Sequence, residues 1–404
     1  MKGLTKNGEN TMPIRIAILS SSMILFIFAM HWLFFKSMGA FFHVERFIPR
    51  ILPWAAAAIL TGIVISAFVL ARSSDGWWVT GYYRFAAVWI GFLVHLLTAA
   101  AAAWLIIGVF HLLRFPAERG TVAGVLLIAA CIFSIYGIYN AFSPRVREVP
   151  VHLSDVPAAW EDAPIVLLSD IHLGRMHGRR FAENLVSRVN ALDPKIVFIT
   201  GDIFDGLGGD HWLLADSLDG IRAEKGVYYV SGNHEDYIGK KLAHRLLEES
   251  PMIRLDNEMA AIDGLEIVGI SYPGIDSPDS IAGLPERGND TSSVRLLLFH
   301  TPTSIITARG DSVDRHFSTY WMPDTSFRHN REAGIDLQLS GHTHYGQIFP
   351  LNLLTRLLYR GYDYGLKQSG NMYVYTTSGA GTWGPPMRTA GISEIAVIRL
   401  RQKP

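Results

Sequence analysis

Hydrophobic and polar residues are distributed unevenly along the chain. Four stretches, Ile16–Phe35, Ile51–Ala71, Phe85–Leu113 and Thr121–Phe142, contain no Lys, Arg, Asp or Glu. Each reaches the roughly 20 residues that cross about 30 Å of hydrocarbon at 1.5 Å per residue. Four buried soluble helices in so short a region would leave too little polar surface. The pattern therefore predicts four transmembrane helices (about 16–35, 51–71, 85–113 and 121–142) within a membrane region spanning 1–142. Trp32, Trp54, Trp77, Trp78, Tyr82 and Tyr83 lie at or near the run ends, where interfacial aromatics belong. The first run is too long for a cleaved signal and reads as an uncleaved helix.

Beyond residue 142 the pattern changes. Pro144, Pro150, Pro157 and Pro164 punctuate 143–164, which reads as an extended linker or a first edge strand. From 165 to 404, short β-rich runs alternate with helical stretches. The strands expected are Ile165–Ser169, Ile196–Thr200, Val227–Ser231, Leu265–Ile270, Val294–Phe299, Ile335–Ser340, Met372–Thr377 and Ile392–Leu400. Amphipathic helices are expected at Arg179–Ala191, Gly209–Ile221 and Gly239–Glu249. This is an α/β (α+β) domain with helices on sheet faces.

Charge sharpens the division. The 404 residues carry 36 Lys+Arg and 36 Asp+Glu. Residues 1–150 hold 12 Lys+Arg against 5 Asp+Glu, and the rest 24 against 31. The neutral total is thus a cancellation between a basic membrane half, suited to anionic headgroups, and an acidic second half. Neutrality gives no reason to expect nucleic acid binding. The single Cys131 excludes a disulfide framework and a Cys-rich zinc site. With four spans, Lys2, Lys6, Arg15, Arg72, Arg84, Arg145 and Arg147 flank the side that carries the C-terminal domain. Lys36, Arg46, Arg50, Arg114 and Arg119 flank the other, so the bias favours a cytoplasmic domain. His31, His95 and His111 are the ionisable residues within the runs. His31 and His111 sit near run ends, and no acidic partner accompanies His95, so anchoring is the better reading than proton transfer.

The chemistry sits just beyond the predicted strands. Asp170-Ile171-His172 follows the first, Gly201-Asp202 the second and Gly232-Asn233-His234-Glu235 the third. His300 follows Val294–Phe299, and Gly341-His342-Thr343-His344 follows Ile335–Ser340. Strand C-terminal ends are where α/β folds place their sites. Each Asp-x-His or His-x-His pair, if extended, puts both side chains on one side. Oxygen and imidazole donors without thiolate suit Mn, Fe or Zn. Any one of these fragments is commonplace, but five in this order are not.

Together they resemble the signature of the calcineurin-like metallophosphoesterases. Leu339-Ser340-Gly341-His342-Thr343-His344 and the tail Thr377-Ser378-Gly379-Ala380-Gly381 resemble the bacterial membrane-associated branch. The resemblance covers about residues 160–400 and implies a four-layer αββα sandwich with a dimetal site. By position it implies Asp170, His172 and His344 on one divalent ion, and Asn233, His300 and His342 on a second. Asp202 would bridge the two ions, with manganese favoured. A metal-bridging hydroxide would attack phosphorus in line, and His234 would contact phosphate and protonate the leaving oxygen. Asp205, Glu235 and Asp236 read either as carboxylates that orient the imidazoles or as caps and solvated loop residues. Arg175 and Arg388 read as phosphate-steering or surface arginines. Tyr345, where this branch often has Gly, is expected to narrow the site's mouth. The apolar stretch 311–329 reads as a packed cap, a lid or a membrane-touching element.

The resemblance also implies a phosphodiesterase or pyrophosphatase in a bacterial inner membrane. The favoured substrate is lipid-linked and UDP-diacylglucosamine-like. A soluble nucleotide or other phosphodiester is the alternative, and a catalytically silent metal-binding scaffold stands behind both.

Overall fold

A computed structural model describes residues 11–404 except 45–46, 48, 209–210, 273–292 and 306–320, with side chains at 18 and from 20 onward. By its contacts the chain divides into Met1–Ile135 and Tyr136–Pro404.

The first unit is helical: α1 (Thr11–Phe42), α2 (Leu52–Ser73), α3 (Trp77–Leu112) and most of α4 (Arg119–Ala141). Ser20–Phe42, Leu52–Ser73, Trp77–Leu112 and Arg119–Ala141 are each long and apolar enough to cross a membrane. The 36 residues of α3 would extend about 54 Å, well beyond the hydrocarbon thickness. Small residues bring the helices together: Ala67 and Ala86 are buried with Val64, and Ala100, Ala103 and Ala123 with Phe41. His31 does not reach an interface as its place in the sequence suggests. It is buried and accepts a hydrogen bond from Trp89 Nε1 at its Nε2 (2.8 Å), while its Nδ1 lies 2.9 Å from the Ile27 carbonyl and 3.2 Å from Thr61 Oγ1. An unpartnered imidazole would be costly in hydrocarbon, and the helix-to-helix bonds remove that cost.

The second unit is two mixed sheets with a shared core. The first contains β1 (Arg145–Leu153), β2 (Ile165–Leu168), β3 (Ile196–Thr200), β4 (Val227–Val230), β5 (Ile253–Arg254) and β12 (Glu394–Gln402), in the order β1-β12-β2-β3-β4-β5. The second contains β6 (Glu258–Ile262), β7 (Leu265–Ile270), β8 (Val294–Phe299), β9 (Leu337–Ser340), β10 (Gly365–Ser369) and β11 (Met372–Thr376), in the order β10-β11-β9-β8-β7-β6. Of the two readings of 143–164, Arg145–Leu153 takes the edge strand, in parallel register with β12 from Arg145↔Glu394 to Leu153↔Gln402.

Ile165, Leu167, Ile196 and Phe198 of one sheet meet Ile267, Leu296, Leu298, Leu337 and Leu339 of the other in a closed apolar layer. The opposite faces of the first sheet's strands pack on α5 (Arg179–Asn190), α6 (His211–Asp216) and α8 (Lys240–Leu246), through residues such as Ala182, Leu185, Val189, Leu214 and Leu246. The outer face of the second sheet buries Val268, Leu297, Phe299 and Val374 against Ile305, Phe327 and Ile335. With both faces covered, the strands read as continuous apolar runs rather than alternating ones. Short helices complete the unit: α7 (Asn233–Ile238), α9 (Arg328–Glu332), a 3-10 turn (His344–Gly346) and α10 (Leu351–Leu358). Of the 311–329 stretch, residues 311–320 lie outside the described residues. Trp321 and Met322 are exposed, and Phe327 is buried 4.7 Å from the Tyr362 ring.

Candidate metal centre

β2, β3 and β4 run parallel, as do β7, β8 and β9, so their C-terminal ends gather polar residues along one edge of each sheet. The eight side chains singled out in the sequence are all buried there: Asp170, His172, Asp202, Asn233, His234, His300, His342 and His344. The loops that carry them are bonded together through the backbone. Asp170 N–H donates to Gly201 O, His172 N–H to Asp202 O and Gly341 N–H to His300 O.

The expectation that the Asp-x-His and His-x-His pairs are extended is not met. Asp170, His172, Asp202, His342 and His344 have φ of 51°, 51°, 54°, 71° and 50°. The chain must fold over the strand ends while Ile171 stays in the core, and left-handed turns do this at a cost of about 1–3 kcal/mol each. Gly232 and Gly341 are required for close approach. A Cβ at Gly232 would lie 2.2 Å from Asp202 Oδ1, and one at Gly341 2.0 Å from Ser169 Oγ and 2.1 Å from Asp170 Oδ2.

Hydrogen-bond directions indicate which atoms remain for a ligand. His300 Nδ1 lies 2.7 Å from the Thr200 carbonyl, an acceptor, so that nitrogen carries a proton and Nε2 is the atom turned toward a ligand. His300 Nε2 meets Asn233 Oδ1 at 3.0 Å, His342 Nδ1 at 3.2 Å and Asp202 Oδ2 at 3.3 Å; Asn233 Oδ1 is also 2.9 Å from His342 Nδ1. In a second group, His172 Nε2 is 3.0 Å from His344 Nε2, with Asp170 Oδ1 3.2 Å from His344 and Asp202 Oδ2 3.8 Å from His172. Asp202 Oδ1 is occupied by the His234 backbone N–H at 2.9 Å, so Oδ2 is the atom shared between the groups. Two nests of acceptors with one carboxylate oxygen between them are the donor set of a pair of cations, and the residues fit two divalent ions.

Burial and mutual charge pull these groups in different directions. Burial pushes Asp170 up to about 6, with Asp202 adding to it. Burial opposes ionisation of Asp202 too, but His300 and His234 outweigh it and hold that carboxyl well below its ordinary value. Burial lowers His342 to about 3, whereas the carboxylates of Asp202 and Asp170 overcome burial at His300 and raise it to about 9.

The neighbours resolve individually. Glu235 orients no imidazole. Its buried carboxylate accepts backbone N–H bonds from Gly232 (2.7 Å), Asp202 (2.9 Å) and Ile203 (2.9 Å), joining two ligand loops. Asp205 does face an imidazole, with Oδ1 3.9 Å from His172 Nδ1, and its carbonyl lies 2.7 Å from His234 Nδ1. Asp236 pairs with Lys240 at 3.6 Å. Neither arginine is a surface residue. Arg175 is buried with Nε on Leu207 O at 2.6 Å, and Arg388 is wholly buried with Nη1 on His344 O at 3.0 Å. Tyr345 stacks on Tyr364 at 4.5 Å.

Two residues with no assigned role in the sequence stand beside the ligands. Tyr272, two residues beyond β7, is buried with its ring 6.2 Å from His300 and 6.4 Å from His342. Tyr359 is 6.3 Å from His342. Tyr272 follows its strand just as the ligands follow theirs, and that offset was the available signal.

Comparison with known proteins agrees with this chemistry. Residues 163–346 match the calcineurin-like phosphoesterase family model. An uncharacterized metallophosphoesterase of Helicobacter pylori is 33% identical over 274 residues, covering 66% of this chain and 67% of that protein. A Campylobacter jejuni metallophosphoesterase is 33% identical over 286 residues, covering 69% of each chain. A zebrafish (Danio rerio) protein named for a transmembrane chain with a metallophosphoesterase domain is 32% identical over 295 residues, covering 68% of this chain and 62% of its own. With four helices able to cross a membrane and a metal-dependent hydrolase fold behind them, this chain belongs to the calcineurin-like metallophosphoesterase family.

Proposed function

We propose that the protein is a membrane-anchored phosphodiesterase or pyrophosphatase whose substrate is lipid-linked, of the UDP-diacylglucosamine-like class. In this reading it lies in a bacterial inner membrane with its hydrolase domain on the cytoplasmic side. The observation that carries the hydrolase reading is the pair of acceptor nests sharing Asp202 Oδ2. Asp170, His172 and His344 would hold one ion, Asn233, His300 and His342 the other, with Asp202 between them and manganese the favoured metal. When bound, the two ions supply Lewis acidity toward a phosphoryl group and lower the pKa of a coordinated water.

The chain's own residues do the rest. Thr200 O fixes the His300 tautomer, and His172, with Nδ1 3.9 Å from Asp205 Oδ1, likewise turns Nε2 inward toward His344. The Asp205 carbonyl holds His234 by Nδ1–H and leaves Nε2 turned to the departing oxygen; as the imidazolium, protonated on both nitrogens, His234 would give its Nε2 proton to that oxygen as the P–O bond breaks and be left neutral. The lipid preference rests on the four spans, which would keep the hydrolase beside a bilayer. A soluble nucleotide is the second reading, favoured by exposed Tyr237 and Trp383, whose rings lie 4.9 and 6.4 Å from His234 and could stack on a base.

The test is purified full-length protein with Mn²⁺ and bis-p-nitrophenyl phosphate. Turnover should be abolished by chelation and by Asp202→Asn. Activity that survives both would overturn the mechanism. Screening lipid extracts of a deletion strain then separates the substrates: an accumulating phosphorylated lipid supports the lipid reading, and unchanged lipids support the soluble one.

A further inference from the structure

The segment after the ligand His344 carries an amphipathic helix facing the opposite way from that of a soluble domain. In α10 the polar positions turn inward. Asn352 and Thr355 crowd Gly346, where a Cβ would lie 2.3 Å from Asn352 Cα and 2.9 Å from Thr355 Oγ1. Tyr359, which caps the helix and continues that face at i+7, is buried beside His342. The leucines turn outward: Leu351, Leu353, Leu354 and Leu357 are all exposed, Leu357 at 74%. Not one residue of the helix is fully buried. Phe349 and Trp383 extend the exposed apolar surface, and Gln347 ties them together by donating to Trp383 O and accepting from Trp383 N–H, both at 2.9 Å. Arg356 and Arg360 are also exposed. Such a leucine surface does not belong in water.

Its surroundings indicate what covers it. Gln347 O accepts from Thr389 and Ala390 N–H, and Phe349 N–H donates to Thr389 Oγ1 at 3.0 Å. The adjacent Arg388 N–H donates to Gly137 O at 2.8 Å, and Asn140 Nδ2 donates to Arg388 O at 3.0 Å and Gly391 O at 2.9 Å. Gly137 and Asn140 lie on the last turn of α4, the final candidate span, which ends at Ala141. One short loop, 387–391, therefore joins the point where the chain leaves the bilayer to the root of α10. The leucine face is thus tied, through hydrogen bonds within the second unit, to the end of that candidate span.

We infer that α10, with Phe349 and Trp383, lies in the bilayer interface. Its leucines enter the acyl-chain boundary, Arg356 and Arg360 meet headgroup phosphates, and the metal centre is held at headgroup depth. The inference rests on the membrane-phosphoesterase reading for its consequence, access to lipid headgroups, but its test reads position and needs no turnover.

The full chain, with Cys131→Ser and Leu357→Cys labelled with the fluorophore NBD, is placed in nanodiscs of phosphatidylethanolamine and phosphatidylglycerol. Some discs carry a lipid spin-labelled near the headgroup. Lys241→Cys on α8 is labelled in parallel as an exposed polar helix position. The expected result is blue-shifted emission at 357, quenched several-fold more strongly by the spin-labelled lipid than at 241. Water-like emission at 357 overturns the inference. So does blue-shifted emission that the lipid does not quench, because the leucines would then be covered by protein, whether a second copy or another segment of this chain. Retained Mn²⁺ stabilisation in the labelled proteins shows that the fold is intact, and a failure of bis-p-nitrophenyl phosphate turnover alone counts against the hydrolase reading, not this one.

Discussion

The guanidinium of Arg388 donates from Nη1 to the carbonyl of His344 at 3.0 Å, and from Nη2 to Gly381 O at 2.5 Å and Nε to Ser393 Oγ at 3.1 Å. Its own backbone is clamped by Gly137 and Asn140. One buried side chain thus links the last turn of a candidate membrane helix to the loop that carries a metal ligand. Burial lowers its pKa to about 10, with Asp170 and Glu394 opposing the shift, so it remains a cation at neutral pH.

Arg388→Met should therefore act through His344 rather than through substrate. It removes one of two donors to His344 O, which keeps the Gln347 N–H at 3.0 Å, and takes the guanidinium donor from Gly381 O; a buried unsatisfied group costs about 1–3 kcal/mol. By loosening a ligand's backbone it should also weaken metal affinity by about 10–100-fold. Activity titrated against Mn²⁺ should shift to higher concentration, with KM for bis-p-nitrophenyl phosphate little changed. An unchanged Mn²⁺ titration with a raised KM would instead return Arg388 to a phosphate-steering role.

Metal removal should destabilise the hydrolase unit. The nests around His300 and His172 bring nitrogen and oxygen atoms able to ligate a cation to 3.0–3.3 Å of one another. Binding to the folded state alone stabilises by about 4 kcal/mol at a thousand times Kd. Chelation should lower the melting temperature by several degrees, and Mn²⁺ should restore it. A melting temperature indifferent to chelator would mean that the nests do not hold metal.

Gly341→Ala tests whether close approach, rather than backbone freedom, is what that position requires. Its methyl would meet Ser169 Oγ and Asp170 Oδ2 near 2 Å, and the overlap must displace Asp170. The expected cost is about 1–3 kcal/mol of stability, with loss of Mn²⁺-dependent turnover and a preserved far-ultraviolet circular dichroism spectrum. Wild-type activity would show that the loop yields without moving the carboxylate.

Much of this was legible in the sequence because it follows from short-range rules. The four apolar runs became α1 to α4, and the eight expected strands correspond to β2, β3, β4, β7, β8, β9, β11 and β12. The residues gathered at the candidate metal centre stood out because each follows a strand by one to four residues. What stayed hidden depends on partners distant in sequence. β5 has two residues, and β6 is an edge strand whose only partner among the described residues is β7. His31 looked interfacial because Trp89 and Thr61, which bind it, are 58 and 30 residues away. The left-handed turns at Asp170, His172, His342 and His344 break the period-2 geometry that an Asp-x-His spacing suggests. The leucines of α10 could not be placed, because a helical pattern does not say which face its neighbours will cover.

Glu235 and Asp236 are adjacent in sequence and should respond unequally to the loss of their charge. Glu235 accepts four backbone N–H bonds from two loops, so Glu235→Gln replaces an acceptor oxygen by an NH₂ that faces donors. Burial and Asp202 push the Glu235 carboxyl up to about 7, while the Gly232 and Asp202 amides pull it back. Breaking bonds to a charged acceptor should cost about 1.5–3 kcal/mol and displace Asp202, cutting turnover with Mn²⁺ sharply. Asp236 meets Lys240 at 3.6 Å with the lysine about half in solvent, so in Asp236→Asn the loss of this pair should contribute less than about 1 kcal/mol. Chemical denaturation of the two variants with Mn²⁺ present compares them directly. Equal losses, or a silent Glu235→Gln, would mean that the Gly232 and Asp202 loops do not depend on the carboxylate between them.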